Sequence, residues 1–106
     1  MKLEVNAKQF TTHLPSAHSI YSWVESNTLG SFEPLSRING SSPWPESGVS
    51  IDPRDGRMII ASPEGVFWVN PGDWVVQSPH YSNEFFPVPP ERFNSHYGLK
   101  NGAENA

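Results

Sequence analysis

The apolar positions at the start of the chain change from a period of two to a period of about three and a half. Residues 3–9 alternate apolar and polar side chains, which predicts a half-buried strand ending near Phe10. The apolar residues that follow have the spacing of one helix face, and they are Ala17, Ile20, Tyr21 and Val24. Because Ser16 is an acceptable N-cap, the pattern predicts a helix from Ser16 to Asn27.

The segment from Gly30 to Gly48 has scattered apolar residues and no sustained period. It is rich in Gly and Pro, which favour turns over regular elements. We therefore expect mostly loop here, with room for one short strand at Leu35–Ile38.

Apolar runs separated by Pro- and Gly-containing turns follow Val49, and this arrangement predicts a β-meander. The predicted strands are Val49–Asp52, Arg57–Ser62, Val66–Asn70, Trp74–Ser78 and a last one near Glu84–Val88. Pro89–Phe93 suits a single helical turn. In the Asn70–Asp73 turn, Asp73 is expected to accept hydrogen bonds from the turn's own amides rather than to act chemically.

These elements predict an α+β fold in which one N-terminal helix packs on a strongly bent antiparallel sheet of five or six strands, able to close as a small barrel. Residues 1–98 would form a single domain with a loop-rich segment at 30–48, and residues 99–106 a frayed tail. Met58–Ala61 and Val66–Val69 are apolar on both faces. One helix cannot cover both faces, so the pattern also predicts a homodimer or larger homo-oligomer.

Composition and charge exclude several classes of function. The 106 residues carry a formal net charge of -4, the wrong sign for direct nucleic-acid binding. The chain has no Cys, so thiolate catalysis, disulfides and Cys-based zinc sites are excluded. No apolar run is long enough to cross a bilayer, and the start lacks the apolar region of a signal peptide. The sequence therefore predicts a soluble protein of the cytoplasm with no membrane partner.

The four histidines are the first candidates for chemistry, and they are His13, His18, His80 and His96. None of them forms a metal-binding pair at helical spacing or a HExxH motif. We interpret them as polar loop residues and predict no metal site. No nucleophile elbow of the GxSxG type is present either, so the sequence predicts no catalytic residue and no cofactor.

A series of short motifs runs through the chain outside residues 30–49. The motifs are Val5–Phe10, Ile20–Val24, Gly56–Gly65, Val69–Val76, Glu84–Pro87, Pro90–Phe93 and Tyr97. In this order they resemble the "veAiqF" strand, the "eIaaWi" helix and the "eG... PGDwI... GEFYPC... pdiF... tYE" signature of a widespread group of small bacteriophage and prophage proteins. The chain differs from that signature at Asn83, at Val88 and in the longer turn at Pro79–Ser82. The group carries no assigned activity, so the resemblance implies a phage setting and a location in the host cytoplasm.

Four residues are candidates for binding. Trp44 lies between two prolines, and two interpretations stay open: an exposed anchor for a partner, or a lid folded over the core. Glu84 precedes an aromatic pair and could bind a ligand or form a salt bridge with Arg92 or Arg57. His80 and Tyr81 belong to the turn where the chain departs most from the signature.

We therefore expect a non-enzymatic phage or prophage accessory protein that binds a host protein or a small signalling ligand. Such binding would serve an anti-defence role, for example inhibition of a CRISPR effector or sequestration of a defence nucleotide. A virion structural or assembly protein is the first alternative, and a small hydrolase is the second.

Overall fold

The computed structural model describes residues 2–100, which form three helices and eight strands. The helices are α1 (Leu14–Ser26), α2 (Leu35–Ile38) and α3 (Pro90–His96). The strands are β1 (Leu3–Val5), β2 (Ala7–Gln9), β3 (Gly48–Ile51), β4 (Met58–Ser62), β5 (Gly65–Val69), β6 (Trp74–Gln77), β7 (Phe85–Val88) and β8 (Tyr97–Leu99). The α+β class is confirmed, and the predicted strands from β3 to β7 are found within about two residues of their expected bounds.

The strands form three sheets instead of one bent sheet. β3, β4 and β5 form an antiparallel meander, β2, β6 and β7 form a second antiparallel sheet, and β1 pairs with β8 in parallel. β5 and β7 lie in contact without forming a hydrogen-bonded ladder. The prediction of one sheet of five or six strands is therefore wrong. Within residues 2–100 no sheet closes into a barrel either.

The predicted first strand is divided at Asn6 into β1 and β2. The carbonyl of Asn6 accepts a hydrogen bond from the Gln77 backbone N–H at 2.9 Å, and the carbonyl of Val5 accepts one from the Lys100 N–H at 2.9 Å. Two successive residues therefore bond to different elements, Asn6 to β6 and Val5 to the residue that follows β8. This change of partner is why an uninterrupted alternation of apolar and polar residues becomes two strands in two sheets.

The helix α1 begins two residues earlier than predicted. Its N-cap is His13, and Pro15 lies in the first turn. Backbone N–H groups in the first turn have no acceptor within the helix, so a proline is tolerated there. Ser16 therefore lies inside the helix, and the prediction that it is the N-cap is wrong. Ile20 and Val24 are buried, which confirms the predicted apolar face.

The segment at Leu35–Ile38 is the short helix α2 and not the strand that the sequence suggested. The Glu33 carboxylate accepts hydrogen bonds from the backbone N–H groups of Leu35 at 2.8 Å and Ser36 at 3.0 Å. These bonds, with one from the Ser36 hydroxyl, lower the pKa of Glu33. An acidic residue that satisfies the first N–H groups of a helix favours the helical turn at this point.

Residues 30–48 cover the second apolar face of β4 and β5. Ile59 and Ala61 on this face are buried. The Trp44 ring meets the rings of Phe32 and Trp68 edge to face, with centroid distances of 5.9 and 5.7 Å. The surplus apolar surface that predicted a homo-oligomer is thus covered within one chain, and the oligomeric state itself stays a prediction.

Two apolar clusters form the interior. The larger contains Phe10, Ile20, Val24, Val49, Met58, Ile60, Val69, Val75 and Phe85. The smaller contains Val5, Ala7, Val76, Val88 and Phe93. Phe93 of α3 stacks between two other rings, with its centroid 4.1 Å from that of Trp74 and 5.7 Å from that of Tyr97. This stack attaches α3 to the sheet that carries β6.

The predicted frayed tail overlaps the last strand. Leu99 ends β8 opposite Val5, and Lys100 donates the backbone bond to Val5 described above. Pairing therefore continues beyond the predicted boundary at residue 98. The remainder of that tail, residues 101–106, lies outside the described residues.

Candidate functional site

A groove with a volume of about 750 Å³ lies between the first two turns of α1 and the β3–β4 turn. The helix contributes one wall, which consists of Leu14, Ala17, His18 and Tyr21. These positions are three, four and seven residues apart, so their side chains share one face of the helix. The helix thus uses one face for the core and an adjacent face for the groove.

Residues from other parts of the chain complete the groove, which we call the α1 groove. The β2–α1 connection contributes Phe10, Thr11 and Thr12. The end of β3, the β3–β4 turn and the β5–β6 turn contribute Ile51, Asp55, Gly56, Arg57 and Pro71. Most of this lining is apolar, and its polar groups lie on the two threonines, on the turns and on His18 and Tyr21. A concave, mainly apolar surface of this volume with few polar groups is typical of a ligand site.

Two aliphatic side chains make the α1 groove unusually apolar for a surface. Leu14 is 78% exposed and Ile51 is 39% exposed. A single exposed Leu has no special meaning, but two large apolar side chains around one concavity form a contiguous patch. Burial of this patch by a ligand would therefore remove apolar area from water.

The β3–β4 turn beside the groove is held by Asp52, which is fully buried. Oδ1 of Asp52 accepts hydrogen bonds from the Arg54 backbone N–H at 2.9 Å and from Nε at 3.0 Å, and Oδ2 accepts one from Nη2 at 2.8 Å. The Trp68 indole N–H also donates to Oδ2, at 2.9 Å. The Arg54 hydrogen bonds outweigh the opposing effect of desolvation and hold the pKa of Asp52 well below its usual range.

The backbone of Asp52 orders the rest of the turn. The Asp52 backbone N–H donates to the Arg57 carbonyl, and the Gly56 N–H donates to the Asp52 carbonyl, each at 2.8 Å. Asp52 is therefore a positioning residue for the wall of the groove formed by Asp55, Gly56 and Arg57. The sequence pattern identifies this stretch only as a Pro- and Gly-containing turn and gives no sign of the role of Asp52.

Trp44 occupies a different part of the molecule from the α1 groove. Its ring is half-buried and packs against Phe32 and Trp68 over the β4–β5 face. This placement favours the lid interpretation over the exposed anchor. Of the two alternatives left open by the sequence, the structure thus supports the one in which Trp44 contributes to folding.

His80, Tyr81 and Glu84 lie together on the β6–β7 loop. The side chain of Tyr81 is 60% exposed, and its ring centroid is 6.5 Å from that of His80. The Glu84 backbone N–H donates to the Tyr81 carbonyl at 3.0 Å, and the Glu84 carbonyl accepts from the Ser78 N–H at 2.8 Å. The loop is thus a closed hairpin end that presents two exposed rings.

Glu84 also lines a second, smaller cavity of about 330 Å³ at the base of that loop. The other lining residues are Ser62, Glu64, Phe67, Phe85, Phe86 and Pro87. Within residues 2–100, Glu84 forms no ion pair, and Arg57 pairs with Asp55 instead. The predicted salt bridge of Glu84 with Arg92 or Arg57 is therefore wrong.

Asp73 has the structural role that the sequence predicts. Its Oδ2 accepts a hydrogen bond from the Asn70 backbone N–H at 3.0 Å, which closes the β5–β6 turn. Gly72 in this turn has a φ of 98°, a value that only Gly adopts readily. The PGDW motif thus shapes the turn that ends at β6.

The histidines are dispersed over the structure. His13 is the N-cap of α1, His18 lies in α1 beside the groove, and His96 ends α3, so two of the four lie in helices rather than in loops. In the part of the chain that the structure describes, no group of three or more His, Asp or Glu side chains is arranged to hold a metal ion.

Comparisons with protein-family models, with curated proteins and with solved structures find no significant match to this chain. The resemblance to small phage proteins therefore stays a prediction. Among residues 2–100 no helix has both the length and the apolar character needed to cross a membrane.

Proposed function

We propose that this chain is a non-enzymatic accessory protein of a phage or prophage, and that it binds a host component in the α1 groove. The observation that carries the proposal is the groove itself, with its volume of about 750 Å³ and its exposed Leu14 and Ile51. The ordered motifs of the sequence support the phage setting. A host cytoplasmic location and an anti-defence role belong to the same proposal.

The rigidity of the groove also supports a binding role. One wall belongs to α1, whose Ile20 and Val24 are anchored in the core, and the other is a turn organised around the buried Asp52. A ligand that enters a preformed site loses less binding free energy to ordering of the protein. The α1 groove therefore has the organisation that favours binding, whether the host component is a protein or a small molecule.

Capture from infected host lysate tests this proposal with a matched pair of variants. Leu14 and Leu29 are exposed to a similar extent, 78% and 75%, but only Leu14 lines the groove. Wild type and Leu29→Glu should retain the same host component, identified by mass spectrometry of proteins and of extracted small molecules. Leu14→Glu should lose it, because a carboxylate placed at an apolar contact has to be desolvated on binding.

The capture also separates the alternatives. Capsid or tail proteins retained in a groove-dependent way would favour the virion accessory role. A component retained equally by wild type and by both variants, or the absence of any retained component, would contradict the proposed binding site.

A further inference from the structure

Arg57 is held in a fixed orientation on the turn side of the α1 groove. Its Nε donates to Oδ2 of Asp55 at 2.8 Å, and its Nη1 donates to Oδ1 of Asn70 at 3.4 Å. Its backbone N–H also donates to Oδ1 of Asp55, at 3.1 Å. The guanidinium therefore has one partner in its own turn and a second at the end of β5.

The outer edge of the same guanidinium remains available to a ligand. Within residues 2–100, Nη2 of Arg57 makes no hydrogen bond, and the side chain is 34% exposed. Guanidinium groups offer five donors in a planar fork, and the edge opposite a bonded Nε suits an oxyanion. Orientation by Asp55 and Asn70 reduces the rotamer entropy that Arg57 would lose on binding an anion.

The lining of the groove around Arg57 carries little negative charge, although the protein as a whole is acidic. The chain contains eleven Asp and Glu residues, and Asp55 is the single one among the lining residues of the groove. Asp55 and Arg57 balance each other, and His18 on the opposite wall adds a ring N–H donor. An anion entering here meets no excess of negative charge, unlike an anion at the Glu64 and Glu84 cavity.

The remainder of the α1 groove suits an apolar body. Phe10 forms a buried part of the lining, and Tyr21 and Ile51 contribute a ring and a branched aliphatic side chain. We propose that the groove binds a small organic anion, with its apolar body against Phe10, Tyr21 and Ile51 and its anionic group on Arg57. This inference rests on the proposed function, since it names the chemical class of the component bound in the groove.

A pair of fluorescent probes tests the inference directly. 8-Anilino-1-naphthalenesulfonate and N-phenyl-1-naphthylamine share one ring system, and only the first carries an anionic group. Wild type should bind both probes, and Arg57→Gln should weaken binding of the sulfonate by about tenfold or more, because the variant loses a hydrogen bond between two charged groups. Binding of the uncharged amine should change by less than about twofold.

Three further variants control the experiment. Arg92 lies exposed on α3 outside the groove, so Arg92→Gln should leave the affinity for both probes unchanged. Arg57→Lys should retain part of the sulfonate affinity, because it keeps the charge but not the planar fork. Ala17→Trp should reduce the affinity for both probes by filling the groove. Thermal unfolding of Arg57→Gln checks that the variant is folded.

The outcomes distinguish failure of this inference from failure of the proposed function. Equal loss of both probes, or no change, in folded Arg57→Gln would overturn the anion assignment, while groove-dependent capture from lysate would still support the binding role. Sulfonate binding that Ala17→Trp does not affect would place the probe outside the groove and would also overturn the inference. Wild type that binds neither probe would overturn it as well, and the Leu14→Glu capture would then decide the proposed function alone.

Discussion

The indole N–H of Trp68 donates a hydrogen bond to Oδ2 of Asp52 at 2.9 Å, across 16 positions of sequence. The bond joins β5 to the turn between β3 and β4. The same indole ring meets Trp44 edge to face. One side chain thus connects the turn beside the α1 groove with the segment that covers the β4–β5 face.

Asp52→Asn should lower the free energy of unfolding at neutral pH, and the deficit should shrink as the solution becomes acidic. The folded-state pKa of Asp52 lies below its ordinary value of 3.8, so the stability from the ionised carboxylate is present above that value. It is lost as the pH falls from about 3.8 through the lower folded-state pKa. Urea denaturation of both proteins between neutral pH and about pH 2 measures the difference. A deficit that does not depend on pH would show that this carboxylate is not the source of the stability.

Trp44→Ala should destabilise the protein by about 2 to 3 kcal/mol. This is less than the roughly 3–5 kcal/mol expected for a fully buried Trp, because the ring is only half-buried. The cost is still substantial because the ring makes two edge-to-face contacts. Tyr81→Ala is the control, since an exposed substitution usually costs under about 0.5 kcal/mol. Denaturation midpoints measure the stability of both variants. Equal midpoints would contradict the lid interpretation and favour Trp44 as an exposed anchor.

Gly48→Ala should destabilise the protein by about 1–3 kcal/mol more than Gly65→Ala. The two glycines have similar φ values, 152° and 147°, so both substitutions impose backbone strain. An added Cβ at Gly48 would lie 2.6 Å from the Gly30 carbonyl oxygen, whereas one at Gly65 would meet nothing within 4 Å. Chemical denaturation separates the clash from the strain, and similar losses in the two variants would argue against the close approach of residue 30 to β3.

Ile20→Ala should cost about 2 to 4 kcal/mol through lost apolar burial and a cavity in the larger cluster. Ser22 is exposed on the same helix, and Ser22→Ala should change the stability by under about 0.5 kcal/mol. Thermal or chemical unfolding provides the comparison. Equal stabilities of the two variants would mean that the buried face of α1 is assigned incorrectly.

The local elements could be predicted because each depends on residues close in sequence. The spacing of Ile20 and Val24 identifies the buried face of α1 whatever the helix packs against. The turn at Asn70–Asp73 contains its own hydrogen-bond acceptor and its own Gly. For the same reason, the strands from β3 to β7 follow from their apolar runs and the turns between them.

The sheet arrangement and the α1 groove could not be predicted, because they depend on residues far apart in sequence. Asn6 divides a strand only because β1 before it pairs with β8 and β2 after it pairs with β6. Leu14 and Arg57 are unremarkable until α1 is placed beside the β3–β4 turn. The sequence contains one signal for the groove, because the apolar stripe of α1 includes Ala17 and Tyr21 in addition to Ile20 and Val24. In the structure only Ile20 and Val24 of that stripe are fully buried.

The parallel pairing of β1 with β8 has a consequence for folding during synthesis. β1 leaves the ribosome first among the described strands, and its partner leaves last. The meander of β3, β4 and β5 can assemble while translation continues, because its contacts are local. β1, in contrast, keeps an unpaired edge until Leu99 has emerged, and unpaired edges favour association between chains. A chain shortened to end before β8 would therefore keep the edge of β1 unpaired after synthesis. Folding of that shortened chain should depend more strongly on chaperones.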